Sequence, residues 1–247
     1  MGEVFSAVHE RLGQTVALKM LSRSDPASRA RFVREARALS VLEHPGVVRV
    51  LYLGEHADGA PYLVMEQVTG RSLRETLREH PAGMPVREAL AIVAQVATAM
   101  AAVHQRQIVH RDLKPENLML VPHASGPDAI KVIDFGIARV PSQDWSGPDT
   151  LVETAEDGPR WLGSVAYMAP EQCRQRTEIG PSADVYALGI ILYELLCGVP
   201  PFRESDPVAL AAMHIRDEPD LSVVPDARLR PLLAAMLHKA PLLRPAM

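Results

Sequence analysis

The sequence has few of the features that mark secreted or zinc-binding proteins. Its two cysteines, Cys173 and Cys197, are too few for a disulfide framework and too far apart for a CxxC motif. None of its nine histidines shows the HExxH or HxxxH spacing of a protein zinc site. We therefore expect a reducing compartment, no zinc site, and cysteines that serve as packing residues.

The chain also lacks a strong charge of one sign and a long apolar run. It has 26 basic and 30 acidic residues, a net charge of −4, and no basic stripe that would bind nucleic acid. The longest apolar stretch, residues 183–199, contains Asp184 and Glu194 and is shorter than the roughly 20 residues that span a bilayer. We expect no nucleic-acid partner and no membrane segment in this chain, and we interpret residues 183–199 as a buried core helix.

The pattern of apolar residues changes along the chain. Alternation near the N-terminus and in residues 44–70 predicts antiparallel strands, with one helix between them, whereas helical spacing dominates after Gly70. A chain of 247 residues is long enough for one large domain or two lobes. These patterns predict an α+β fold with a boundary between residues 1–69, a sheet plus one helix, and residues 70–247, which are mainly helical.

The stretch HRDLKPEN, residues 110–117, concentrates reactive side chains. It offers the carboxylate of Asp112, the ammonium group of Lys114 and the amide oxygen of Asn117, and Pro115 restricts the backbone between them. A base, a cation that can neutralise phosphate and a metal ligand in one loop are typical of phosphoryl transfer. A charged surface loop has a similar composition and is the alternative.

Further candidates lie in the strands and in the first helix. Lys19 ends a predicted strand, in which the small Ala17 leaves room for a flat ring, and Asp134 closes a later one. Glu35 flanks an apolar helical stripe, and a pair with Lys19 would offset the cost of burying either charge. A solvated strand lysine is the alternative. The segment 137–168 is long and polar and shows no regular spacing of apolar residues. We interpret it as a regulatory loop.

Taken in order, these motifs cover essentially the whole chain: VALK, a glutamate-bearing helix, VMEQV, HRDLKPEN, DFG, GSVAYMAPE, DVYALG and a late Arg244. The chain thereby resembles a eukaryotic-like serine/threonine protein kinase of the bacterial type. The resemblance implies a two-lobed protein-kinase-like fold and transfer of the ATP γ-phosphoryl group to Ser/Thr hydroxyls of proteins, with ATP and Mg²⁺ as cofactors. The sequence DLKPEN favours Ser/Thr over Tyr acceptors.

The resemblance also implies catalytic and metal-binding roles. Asp112 would accept or orient the proton of the attacking hydroxyl, and Lys114 would neutralise charge on the γ-phosphoryl group. Asn117 and Asp134 would hold Mg²⁺, which prefers hard oxygen ligands. Lys19, oriented by Glu35, would contact the α- and β-phosphates.

A nucleotide pocket follows from the same resemblance. The adenine would lie between Val4 and Ala17 on one side and Met119 on the other, with Met65 at the rear. Backbone groups of Glu66 and Val68 would read its edge. Gly2 matches the last glycine of a Gly-rich loop over the phosphates.

Supporting residues complete the set implied by the resemblance. Phe135 of the DFG motif, His110 and Leu39 match an internal hydrophobic stack, for which ordinary core packing is an equally valid description. The other supporting residues are Asp184 as the anchor of the catalytic-loop backbone, a buried ion pair of Glu171 with Arg244, and Gly136.

The resemblance places a phosphate-binding pocket at Arg111, organised when the activation loop is phosphorylated. The candidates for that phosphate are Thr150 and Thr154, followed by Ser142 and Ser146; an unmodified polar loop is the alternative. Ser164 stands where the family more often has threonine, and its hydroxyl can still bond Asp112 and Lys114. A homodimer is one arrangement in which the chain could phosphorylate its own loop.

Two departures from the family pattern accompany the match. The chain begins after two glycines of the Gly-rich loop and ends before the family's final helix, so we expect a fragment, a misplaced start codon or a shortened natural kinase. We expect a cytoplasmic protein, and a longer form could be membrane-tethered through C-terminal sequence. A kinase-like scaffold with little catalysis is one rival function. A small-molecule phosphotransferase is the other, and GSVAYMAPE argues against it because this segment shapes a peptide groove in protein kinases.

Overall fold

The structure is a computed structural model of the chain. It describes residues 3–20, 26–57, 59–123, 126, 128–135, 165–174 and 179–247. Several residues singled out from the sequence lie outside this described part, namely Gly2, Gly136, Ser142, Ser146, Thr150, Thr154 and Ser164.

An antiparallel sheet with one helix occupies the N-terminal part of the chain. The strands pair in the order β1-β2-β4-β3, with bounds β1 Glu3–Val8, β2 Thr15–Met20, β3 Val50–Glu55 and β4 Pro61–Glu66. Helix α1, Pro26–Ser40, packs on β3 and β4 through Phe32, Ala36 and Leu39, whose spacing places them on one helical face. The predicted hairpins and helix are therefore present in this part.

The remaining part is mainly helical, as predicted. Its helices are α2 Leu73–Glu79, α3 Val86–Gln105, α4 Pro170–Cys173, α5 Ser182–Cys197, α6 Pro207–Arg216 and α7 Arg230–Met236. A small antiparallel sheet pairs β5 (Arg71–Ser72), β6 (Leu118–Val121) and β7 (Ala129–Val132) in that order. Helical 3-10 turns lie at Pro115–Asn117, Ala227–Leu229 and Pro241–Leu243.

Helix α5 is the core of this helical part. Every residue from Ala183 to Leu196 is buried, and the helix packs against α3 and α7, which confirms the predicted core helix. It ends at Gly198, whose φ of +77° favours glycine and where a Cβ atom would lie 2.2 Å from the carbonyl oxygen of Pro81. Two of its buried residues are acidic, so each needs a partner within the fold.

Helix α3 is long and apolar enough to cross a membrane by length and composition alone. Its buried residues recur every three or four positions and face α5 and β7, as expected of a core helix. The stripe that the spacing of the sequence predicts on this helix, Leu90, Val93, Ala97, Met100 and His104, overlaps the buried face in part. Val93 and Met100 are buried, whereas Leu90, Ala97 and His104 are only partly buried.

The two parts are joined by backbone hydrogen bonds next to β7. The amide of Val48 donates to the carbonyl of Val132 at 2.9 Å, and the amide of Val132 donates to the carbonyl of Gly46 at 2.8 Å. The end of β7 is thereby fixed against the segment between α1 and β3. This join positions the residues that follow β7 at the cleft between the sheet and the helices.

Candidate active site

A cleft of about 330 Å³ lies between the four-stranded sheet and β7. Its walls include most of the side chains that were expected around a nucleotide, and its inner end carries two oxygen donors, Asn117 and Asp134. Met119 lies half-buried on β6 and is not among the described residues that line the cleft, so its predicted contact stays a prediction. The lining residues singled out from the sequence are Val4, Ala17, Met65, Glu66 and Val68.

The first half of the HRDLKPEN loop is anchored by Asp184, at the start of α5. Its Oδ2 accepts the backbone N–H of His110 and its Oδ1 that of Arg111, both at 2.9 Å. Asp184 Oδ2 also lies 2.8 Å from His104 Nε2. Arg111 has a φ of +64°, a left-handed conformation that a non-glycine residue holds only where neighbouring contacts fix it. The buried carboxylate therefore holds the loop in this strained shape.

The catalytic candidates of the loop lie within direct contact of one another. Lys114 Nζ is 3.2 Å from Asp112 Oδ2, and Asn117 Nδ2 donates to the Asp112 carbonyl at 2.8 Å. The amide of Asn117 donates in turn to the carbonyl of Lys114 at 2.9 Å. The structure thus brings a carboxylate, an ammonium group and a carboxamide together in one tight turn.

Asp134 joins this group from the end of β7. Its φ is +52°, a second left-handed non-glycine residue at the same site, and its carboxylate forms an ion pair with Lys19 Nζ. Burial raises the pKa of Asp134, but the adjacent Lys19 ammonium outweighs burial and leaves that pKa below its usual value. Asp134 is therefore an anionic oxygen donor at the cleft.

The structure has two other ion pairs in place of the one expected between Lys19 and Glu35. Within the described part of the chain, Lys19 pairs with Asp134, and Glu35 Oε1 accepts a hydrogen bond from Arg111 NH1 at 3.1 Å. Both cations therefore have a carboxylate, and neither charge is left uncompensated at the edge of the cleft. The sequence identified all four residues as site candidates but did not predict these two pairs.

His110 and Phe135 stack beneath the cleft, with ring centroids 4.6 Å apart, and Leu39 of α1 is buried in the same core. Burial lowers the pKa of His110, although Asp184 and other carboxylates oppose this effect. In the neutral ring, Nδ1 accepts the N–H of Asp112 at 3.3 Å and Nε2 donates to the Ile133 carbonyl at 3.2 Å. His110 thus links the catalytic loop to the segment after β7 that carries Asp134.

Glu171 and Arg244 form a buried, two-contact ion pair below the site. The two N–O distances are 2.7 and 2.8 Å, and the guanidinium also donates to the carbonyls of Ser182, His238 and Lys239. Its Cζ lies 4.9 Å from the ring centroid of Tyr186. These contacts fix α4 against the start of α5 and the C-terminal turn.

Gln172 supports the catalytic loop, although the sequence analysis did not identify it. Its Nε2 donates to the carbonyl of Arg111 at 2.8 Å and its Oε1 accepts the N–H of Ala169 at 2.9 Å. Gln172 thereby ties α4 to the strained turn of the loop. The only sequence signal was general: a buried loop needs side-chain partners for its backbone groups.

Comparison with known proteins agrees with this geometry. The family model described as "Protein kinase domain" matches residues 1–247. The chain is 39% identical over 264 residues to serine/threonine-protein kinase pkn3 of Myxococcus xanthus, covering 100% of this chain and 45% of that protein. It is 40% identical over 226 residues to serine/threonine-protein kinase PknB of Mycobacterium leprae, covering 89% of this chain and 34% of that protein.

A third relative is serine/threonine-protein kinase PknB of Mycobacterium tuberculosis, which is 39% identical over 235 residues, or 92% of this chain and 35% of that protein. The chain therefore spans less than half the length of these relatives. The α+β architecture, the composition of the cleft and the family match are mutually consistent. The chain belongs to the protein kinase domain family.

Proposed function

We propose that the chain transfers the γ-phosphoryl group of ATP to serine or threonine hydroxyls of proteins. The observation that carries this proposal is the mutual contact of Asp112, Lys114 and Asn117 in a loop that lies beside the cleft. Phosphoryl transfer depends on positioning and on cations more than on a covalent protein nucleophile, and this loop offers both. The names of the relatives, all serine/threonine-protein kinases, support the same class of acceptor.

The cleft suits a nucleotide in size and lining. A volume of about 330 Å³ lies at the lower end of the roughly 300–1,000 Å³ of small-molecule sites. Val4, Ala17 and Met65 supply apolar surface for a base. In the part of the chain that the structure describes, the backbone of Val68 makes no hydrogen bond, so its N–H and C=O are available to a base edge.

The donor set at the inner end fits Mg²⁺. Asn117 Nδ2 already donates to Asp112, so its Oδ1 is the atom that can bind a metal, and Asp134 adds a carboxylate. The described residues contain no cluster of three acidic, histidine or cysteine side chains, and Mg²⁺ sites of this type need only one or two carboxylates plus phosphates. Asn117 and Asp134 would hold the ion, which would neutralise charge on the phosphates.

The remaining residues would carry the transfer itself. The acceptor hydroxyl would give its proton to Asp112 as its oxygen attacks the γ-phosphorus and the bond to the bridging oxygen breaks, releasing ADP. Lys114, 3.2 Å from Asp112, would neutralise charge on the transferred group. Lys19, buried at the cleft beside Asp134, would provide the second cation for the phosphates.

We also propose that the activation loop is phosphorylated, with Thr150 or Thr154 as acceptors. Arg111 supports this proposal because its buried Nε has no hydrogen-bond partner among the described residues, and guanidinium groups bind phosphate well. Mass spectrometry after incubation with Mg-ATP tests it. A loop that carries no phosphate would rule it out.

The cytoplasm remains the proposed compartment. Cys173 and Cys197 are free thiols, as a reducing environment would keep them, and ATP with Mg²⁺ is required by the proposed reaction. Cell fractionation with an antibody against the endogenous protein would test this location. Recovery in an extracytoplasmic fraction would contradict it.

Incubation with γ-labelled ATP and dephosphorylated casein tests the proposed activity. We expect label on serine or threonine with the wild-type chain, and a loss of about 100-fold or more with Asp112→Asn, because the general base is removed. Asp217→Asn, an exposed aspartate distant in sequence, is the matched control. Wild-type protein that labels no protein would favour the scaffold, and label on an added small alcohol but not on casein would favour the small-molecule phosphotransferase.

A further inference from the structure

Arg74 of α2 belongs to none of the motifs discussed above, yet it contacts three separate parts of the chain. Its Nε donates to Glu116 Oε1 at 2.8 Å, its NH1 donates to Glu194 Oε1 at 2.7 Å, and its NH2 donates to the hydroxyl of Tyr167. Glu116 lies in the HRDLKPEN loop, Glu194 on α5, and Tyr167 in the segment before α4. Arg74 is therefore a single side chain that joins four elements.

The partners of Arg74 are also hydrogen-bonded to one another. The Tyr167 hydroxyl accepts from Arg74 and donates to Glu194 Oε2, so both carboxylate oxygens of Glu194 are hydrogen-bonded. Burial of Tyr167 and the nearby Glu194 raise the pKa of the phenol well above its usual value, so the hydroxyl stays a donor. Arg74 also lies over the Tyr167 ring, 5.7 Å from its centroid.

Glu194 explains why an arginine is needed. It is buried among the apolar residues of α5, where a carboxylate without a cation would be costly. A guanidinium group can reach three acceptors at fixed angles, which a lysine ammonium on a flexible stem cannot do as well. Arg71, three residues earlier, shows the opposite situation, since its pair with Glu79 is largely exposed.

The link to catalysis runs through Glu116. This residue sits in the 3-10 turn Pro115–Asn117, between Lys114 and the proposed metal ligand Asn117. The backbone N–H of Asn117 donates to the carbonyl of Lys114, and its side-chain Nδ2 donates to the carbonyl of Asp112. A displacement of Glu116 would therefore shift the turn that carries Lys114 and Asn117 and disturb the contact of Asn117 with Asp112.

The two halves of the catalytic loop have different anchors. Asp184 and Gln172 hold the first half through the backbone of His110 and Arg111. We propose that Arg74 is a positioning residue for the second half, which holds the turn with Lys114 and Asn117 in register with α5 and with Tyr167. This inference rests on the proposed phosphoryl transfer, but it concerns the geometry of the loop and can be measured separately.

A purely structural role for Arg74 would lower stability without selectively affecting the loop or the transfer step. We therefore compare Arg74→Ala, Arg74→Lys, Glu116→Ala and the double variant with Arg71→Ala as the matched control. Glu116 is 42% exposed in its side chain, so its truncation tests the same link without removing a buried group. The readouts are amide hydrogen exchange of residues 108–120, kcat and KM with casein, and affinity for Mg-ADP.

We expect exchange in residues 108–120 to rise at least about tenfold in Arg74→Ala and Glu116→Ala and to be unchanged in Arg71→Ala. We expect kcat to fall about 100-fold in Arg74→Ala and about tenfold in Glu116→Ala, as for a small misplacement of catalytic groups. Mg-ADP affinity should fall by a smaller factor than kcat, because Asp134 lies outside the displaced turn. Arg74→Lys should lie between wild type and Arg74→Ala. Low millimolar guanidinium should raise kcat of Arg74→Ala alone.

Loop exchange and kcat within about threefold of wild type in both single variants would overturn the proposal, as would a double variant whose loss is the product of the single losses. If Arg74→Ala does not fold, Glu116→Ala decides alone by the same criteria. A wild-type chain without Asp112-dependent transfer would refute the proposed function, whereas loop exchange would still decide the role of Arg74.

Discussion

Two arginine–glutamate pairs in this kinase domain show contrasting designs. Arg244 and Glu171 meet through two contacts of 2.7 and 2.8 Å with side chains 0% and 4% exposed. Arg111 and Glu35 meet through one contact of 3.1 Å with side chains 27% and 15% exposed. The first guanidinium also donates to three carbonyls, whereas Nε of the second has no partner among the described residues.

The Arg244–Glu171 pair is therefore a fixed contact, whereas the Arg111–Glu35 pair can exchange partners. Removing one partner of the buried pair leaves a charge without water or a counter-ion. The helical part of the domain therefore depends on both Arg244 and Glu171. A single contact between side chains that are 27% and 15% exposed still reaches solvent, so it contributes less than the fully buried pair and another anion can replace it. Arg111 and Glu35 lie where the sequence predicts regulation, and Arg244 and Glu171 lie where rigid support is needed.

The largest effect should come from breaking the buried pair. Arg244→Ala should lower the free energy of unfolding by about 3–5 kcal/mol, because Glu171 is left buried without its cation. Urea unfolding monitored by circular dichroism measures this loss. Arg228→Ala, which removes an 89% exposed arginine from its pair with Asp226, is the control and should leave stability almost unchanged. Equal losses in both variants would abolish the contrast.

A second test uses pH to examine the buried region of the helical part that contains His214. Burial, helped by the nearby Lys239 ammonium, lowers the pKa of His214 to about 3. Below the unfolded pKa of about 6.5, the histidine binds a proton in the unfolded chain but stays neutral in the folded chain. The free energy of unfolding is therefore highest above about pH 6.5 and decreases as the pH falls towards 3. At about pH 5 the loss from this histidine should be about 2 kcal/mol.

His214→Gln should remove that contribution. Urea unfolding at about pH 7.5 and pH 5 should show wild type losing about 2 kcal/mol more than the variant between the two conditions. The comparison between variants cancels the other titrating groups, which are common to both proteins. The same pH dependence in both would show that His214 is not held neutral.

The smallest stability effect should come from the exchangeable pair. Glu35→Gln should change the free energy of unfolding by less than about 1 kcal/mol, while phosphoryl transfer falls about tenfold if Glu35 orients Lys19 during catalysis. Glu55→Gln, which breaks an exposed pair with Arg29, is the matched control and should leave transfer unchanged. A large loss of stability without loss of transfer would reverse the comparison.

Much of the architecture follows from the sequence, because apolar period and motif order depend on local chemistry. The core helix Ser182–Cys197 lies where the apolar run of residues 183–199 predicts it. The apolar stripe expected on α3 overlaps the buried face only in part, because packing against α5 and β7 sets the rotation of the helix.

Within the site, the motifs identified the charged residues but not the pairs that they form. Lys19 lies within reach of Asp134, and Glu35 within reach of Arg111, so a sequence pattern could not choose between the pairings. Arg74 was missed for a similar reason. The acidic Glu194 inside an apolar run signalled that a cation must be near, but its partner is 120 residues away in sequence.

The central claim is that the buried helical part of the domain holds Asp112 in position for phosphoryl transfer. Single-turnover transfer tests this claim most directly. Rapid quenching with labelled Mg-ATP and excess casein separates binding from chemistry. Asp112→Asn should slow the transfer step by about 100-fold or more while Mg-ATP affinity stays within about threefold of wild type. Transfer by Asp112→Asn at a rate within about threefold of wild type would contradict the account.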